Sequence, residues 1–127
     1  MADISLETAL ERINEEGDFE ASVLASSDGL PIATVPSDYD VDTTAAMVAL
    51  LRRVARETRE HVGLAQVDEV SVRASDHIRL VCRCFTMNGE DFILAVVVPS
   101  HRRYYRQLTN RAIKDLKLTW QAMIQGS

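Results

Sequence analysis

Apolar residues recur at helical spacing in three stretches of the chain, and five shorter stretches read as strands, several of them alternating. Leu6, Ala9, Leu10 and Ile13 fall three or four apart, which puts them on one face of a helix. Asp3 or Ser5 caps its start and Gly17 closes it. Its outer face carries Glu7, Glu11, Glu15 and Glu16, either a solvated surface or a docking one. From Phe19 to Ser27 the period becomes two. Phe19, Ala21, Val23 and Ala25 share one face of a strand, and Glu20, Ser22, Leu24 and Ser26 the other. Asp28-Gly29 is a hairpin turn, because glycine accepts the positive φ a type I′ turn needs. Leu30 to Val35 returns as a second strand. Pro31 has no N–H to donate, so this strand belongs at a sheet edge.

Asp42 to Val62 then reads as one long helix, with Asp42 as N-cap and Gly63 just past the end. Met47, Leu50, Leu51, Val54 and Thr58 form a stripe that Val48 and Ala55 widen. Ala45, Ala46 and Ala49 occupy the back of the first half, which is therefore apolar all round. One sheet face cannot cover that much apolar surface, so a second buried contact is expected. In the second half the back changes to Arg52, Arg53, Arg56 and Arg59.

Three strands follow. Val67 to Ala74 alternates. His77 to Met87 sends Ile78, Leu80, Cys82 and Cys84 one way and Arg79, Val81, Arg83 and Phe85 the other. Asn88-Gly89 is a second hairpin turn. Asp91 to Val98 contains an unbroken apolar run and so belongs in the sheet centre, covered on both faces. Ser100 is expected to cap a last helix lined by Tyr105, Leu108, Ala112, Leu116, Trp120 and Met123. A central fifth strand needs a neighbour besides the fourth, and the first can supply it. Strands two and three are then the edges. Pro31 protects one, but the Val67–Ala74 edge has no such device and invites pairing with a second copy.

A length of 127 residues fits a single domain over residues 1–127. No apolar run is long enough for a membrane span, and the start carries no basic-then-apolar signal segment. Cys82 and Cys84 share a strand face and cannot easily bond each other, which points to a cytoplasmic protein. The net charge of −5 is unevenly spread. Residues 1–42 hold eleven acids and one base, while residues 43–127 hold thirteen bases and eight acids. An acidic total does not favour nucleic acid; the polarity suits a protein partner.

Catalytic and cofactor signatures are missing. There is no phosphate-binding glycine loop with lysine, no Cys-x-x-Cys and no His-Glu-x-x-His. His61, His77 and His101 have no spaced metal partners, and Cys82 and Cys84 read as core thiols. The expectation is a non-enzyme without cofactor or metal. Arg52, Arg53, Arg56 and Arg59 are the sharper signal. They either make ion pairs with Glu57 and Glu60 along a solvated face or meet an acidic partner. Arg102, Arg103 and Arg106, beside Tyr104 and Tyr105, form another possible contact patch.

Ala25-Ser26-Ser27-Asp28-Gly29-Leu30-Pro31-Ile32-Ala33-Thr34 resembles the first hairpin of the roadblock/dynein light chain family, and the order of elements from Leu6 through Ile124 is also similar. The resemblance implies a profilin-like α/β sandwich, α-β-β-α-β-β-β-α, with a five-stranded antiparallel sheet in the order 2-1-5-4-3. It also implies a homodimer through the second helix and third strand, with Ala46, Met47, Leu50, Val54, Val70, Ser71 and Val72 at the seam. Bacterial and archaeal members often regulate small Ras-like GTPases. The expected function is therefore binding and regulation of such a GTPase, with Arg52, Arg53, Arg56 and Arg59 as partner-binding residues. Two alternatives are a structural adaptor or scaffold subunit indifferent to nucleotide state, and a small-molecule sensor.

Overall fold

The computed structural model describes residues 5–38 and 40–126. The elements are α1 (Leu6–Gly17), β1 (Ala21–Ser26), β2 (Pro31–Val35), α2 (Val41–Val62), β3 (Glu69–Arg73), β4 (Arg79–Met87), β5 (Glu90–Val98) and α3 (Arg106–Gln125). The five strands form one antiparallel sheet ordered β2-β1-β5-β4-β3, so the edges are the two expected strands.

Alternation along β5 divides the core. Phe92, Leu94, Val96 and Val98 join Leu6, Leu10 and Ile13 of α1 and Ala112, Ile113 and Leu116 of α3. Ile93 and Ala95 turn the other way, to Val48 and Leu51 of α2. Two helices thus cover one face and a single long helix the other. β1 follows the same division, with Leu24 on the two-helix side and Val23 and Ala25 beneath α2. β4 does too, with Val81 and Phe85 opposite Leu80, Cys82 and Cys84, which is the division read from the sequence.

Several expected boundaries shift, each for a local reason. Ser5 caps α1, its Oγ accepting from Thr8 N–H at 3.1 Å, while Asp3 lies outside the described residues. Gly17 remains inside α1, and the left-handed residue is Asp18 at φ 54°. A Cβ on Gly17 would come within 2.6 Å of the Phe19 ring, so glycine makes room for that ring against the helix end. Phe19 therefore precedes the strand and joins the two-helix core with Leu24, not the Val23–Ala25 face. Asp42 is not the cap of α2. The helix already includes Val41, and the Asp40 carbonyl accepts from Thr44 N–H at 3.0 Å and from Thr44 Oγ1 at 2.7 Å. Asp42 instead sits in the first turn, where an acid faces the positive end of the helix dipole. Gly63 closes α2 at φ 80°, its N–H bonding Arg59 O at 3.1 Å.

Ser100 does not cap α3. Pro99 to Arg102 close a turn first, with Arg102 N–H to Pro99 O at 3.2 Å, and the helix begins at Arg106 after Tyr105. Met123, expected inside, is exposed near the end of α3.

Candidate functional site

Among the described residues of α2, Thr44, Val48, Leu51 and Ala55 are buried. The rest of its apolar stripe has no cover. Met47 is 43 %, Leu50 61 % and Val54 45 % exposed. Val72 on β3 is 51 % exposed. Together with Leu51, Ile78 and Leu80, the side chains of Met47, Leu50 and Val72 line an almost wholly apolar groove of about 350 Å³ between α2 and the β3 side of the sheet. Among the described residues β3 pairs with β4 alone, so its outer backbone edge is open beside this groove. Of the seven residues expected at a seam, Met47, Leu50 and Val72 line this groove, Val54 is exposed on α2, and Val70 and Ser71 lie on β3. Ala46 is exposed on the same helix.

The alanines of α2 serve more than one contact. A Cβ on Gly29 would lie 2.9 Å from Ala49 Cβ and 3.4 Å from Ala45 O. The β1–β2 turn of the same chain therefore lies against Ala45 and Ala49. The back of the helix is not free along its whole alanine-rich half.

The four arginines of α2 separate into two groups. Arg53 pairs with Glu57 at 3.2 Å on the exposed surface. Arg52, Arg56 and Arg59 line a cleft of about 200 Å³ with Ser27, Gln66, Asp91 and Phe92. None of these three is in an ion pair with a described residue, so of the two readings the intrahelical pairing holds only for Arg53 and Glu57 among the described residues. The spacing 52, 56, 59 places them on one helix face, while 53 falls about 100° round.

The tyrosine–arginine patch is also divided. Tyr104 is exposed, whereas Tyr105 O–H donates to Glu69 Oε2 at 2.7 Å beneath the Arg79 guanidinium, 5.3 Å from the ring centroid. Arg106 clamps both Glu69, at 2.8 Å, and Asp68. Arg83 of β4, only 4 % exposed, donates to Thr109 Oγ1 at 2.6 Å and to Asp68 Oδ1 at 3.4 Å. The hydrogen bond from Arg106 holds the Asp68 carboxyl below its ordinary range, and the Arg83 charge adds to this. Burial, followed by the Glu69 hydrogen bond, pushes the Tyr105 phenol up. This network ties the start of β3 to α3. Sequence reasoning placed Arg83 on the correct face but gave it no role. The available signal was an arginine between Val81 and Phe85 on a core-facing strand side.

The arrangement offers little for catalysis. Desolvation pushes the Cys82 thiol up to about 12, and burial also raises Cys84. Neither is poised as a nucleophile. His101 contacts Asp18 at 3.2 Å and His77 contacts Arg73 at 2.8 Å, both on the surface. Among the described residues no group of three His, Cys, Asp or Glu side chains comes together to hold a metal, and no helix is long and apolar enough to cross a membrane.

The family model of the Roadblock/LC7 domain matches residues 5–98, which covers α1 through β5. The chain belongs to this family. Among solved structures it is similar to Myxococcus xanthus MglB, with TM-score 0.73, 11 % identity and coverage of 92 % of this chain and 95 % of that one. It is similar to a Roadblock/LC7 domain from Streptomyces avermitilis, with TM-score 0.69, 18 % identity and coverage of 93 % and 97 %. It is also similar to the gliding protein MglB from Thermus thermophilus, with TM-score 0.68, 18 % identity and coverage of 90 % and 87 %. No curated protein sequence matches the chain.

Proposed function

We propose that this protein is a homodimeric, non-catalytic interaction module that binds and regulates a small Ras-like GTPase. The observation that carries the reading is the uncovered apolar stripe of α2 beside the open edge of β3. A two-fold axis through that corner would pair two β3 strands antiparallel and join two five-stranded sheets, while Met47, Leu50, Val54 and Val72 bury one another across it. Burial of half-exposed side chains of this size supplies the driving force, at about 25 cal/mol per Å² of apolar surface removed from water. The groove has almost no polar lining, which suits a partner's apolar side chains better than the few placed polar groups of a small-molecule site.

The GTPase reading rests on membership of the Roadblock/LC7 family and on likeness to structures named MglB, one of them a gliding protein. The module would act by binding GDP and GTP states unequally, since only differential affinity shifts an equilibrium. Pull-down with small GTPases of the same organism, each loaded with GDP or a GTP analogue, tests this. Nucleotide-dependent capture is the expected result, and no capture in either state would overturn the reading. Equal capture in both states would favour a scaffold subunit instead.

A further inference from the structure

We propose that the cleft beside the second half of α2 receives an extended acidic segment of a partner protein, with its carboxylates on the arginine wall. The inference rests on α2 being a partner-binding helix and adds the chemistry of what it binds. Arg52, Arg56 and Arg59 form one wall, Ser27, Gln66 and Asp91 supply polar groups around it, and Ala55, Phe92 and Ile93 are apolar. The three guanidiniums lack ion-pair partners among the described residues, although Glu57 and Glu60 lie on the same helix. Arg52 is half-buried and sits close enough to Cys84 for its charge to act on that thiol.

Spacing selects the ligand class. Positions four apart on a helix are separated by about 6 Å along its axis, and seven apart by about 10 Å. Alternate residues of an extended chain are separated by about 6.6 Å. Carboxylates at alternate positions of an extended segment therefore match Arg52 and Arg56, and a third approaches Arg59. A single phosphate cannot span that wall. Ser27 and Gln66 offer hydrogen bonds to the segment's backbone. Asp91, whose Oδ1 accepts from Thr86 Oγ1 at 3.0 Å, repels acids on its own side and keeps them to α2. The apolar surface below excludes water, which strengthens charge-assisted bonds relative to fully exposed pairs.

The test is an NMR titration of the full chain with end-capped hexaglutamate and, separately, with inorganic phosphate. The expected result is saturable shifts at the amides of Ser27, Arg56 and Gln66 with hexaglutamate, and binding of phosphate weaker by about tenfold or more. Replacing both Arg56→Gln and Arg59→Gln should weaken the peptide by about tenfold, while Arg53→Gln on the neighbouring face changes it by less than about twofold. Three outcomes would overturn the proposal: no saturable binding, equal weakening by Arg53→Gln, or phosphate as tight as the peptide. None needs a GTPase. A failed pull-down with a positive titration would reject the partner's identity and leave the acidic-segment site standing. The reverse would reject the cleft alone.

Discussion

Gly29 and Ala49 meet so closely that a Cβ on Gly29 would stand 2.9 Å from the Ala49 methyl group. This contact presses the β1–β2 turn against α2 and helps set where that helix lies on the sheet. The glycine also has φ 85°, which an L side chain adopts only with strain. Gly29→Ala therefore meets both a conformational and a steric penalty. The expected loss is about 1–3 kcal/mol, read as a lower urea midpoint with unchanged slope. A midpoint equal to that of the parent chain would contradict the contact.

Leu50 is exposed in the single chain yet central to the proposed seam. Leu50→Arg should leave the protomer folded, with unchanged circular dichroism, because the new side chain can reach water there. In a dimer the same change buries an unpaired charge. Light scattering at micromolar concentration should then give one chain mass for the variant and two for the parent. Val72→Arg is expected to behave the same way from the β3 side.

Arg83 offers a test of what a buried charge contributes. It is enclosed between β4 and α3, but Asp68 and Glu69 keep Arg106 as a second cation if it is removed. Arg83→Met, which roughly conserves volume, is expected to change stability by less than about 1.5 kcal/mol. Arg83→Ala leaves a void and should cost about 2–4 kcal/mol. Equal costs in chemical denaturation would assign the effect to charge instead of packing.

The same network predicts a pH dependence. Asp68 has a folded-state pKa below its ordinary 3.8, chiefly through its hydrogen bond from Arg106. A depressed carboxylate stabilises the fold above the unfolded value, and that contribution is lost as pH falls through the folded value. Tyr105 is raised from 10.0, first by burial and then by its bond to Glu69, so its contribution is lost as pH rises beyond that value. Stability measured against pH should fall below about 4 and again above about 10. Arg106→Gln should flatten the acid limb, and Tyr105→Phe the alkaline one.

Short-range chemistry along the chain was enough for the element order, both edge strands and the two faces of β4. These features depend on periodicity and on residues such as Pro31 and Asp28-Gly29, whose preferences are local. The hairpin motif and element order were also enough to indicate the family, whose model matches residues 5–98. Helix starts were less legible. Asp42 and Ser100 have good capping side chains, but backbone paths set by Asp40 and by the Pro99–Arg102 turn placed the helices elsewhere.

Only the tertiary structure decided how surfaces are shared. Helical spacing already separates Arg53 from Arg52, Arg56 and Arg59, but only packing gives those three a cleft shared with Ser27 and Gln66. The alanines look like a single apolar back, yet the turn at Gly29 lies against part of it, at Ala45 and Ala49. Arg83, Asp68 and Thr109 are far apart along the chain, and their network exists only once β4, the start of β3 and α3 come together. Patterning along a chain specifies which side chains share a face. Which of those faces meets another is set by packing between distant segments, and local periodicity carries no record of it.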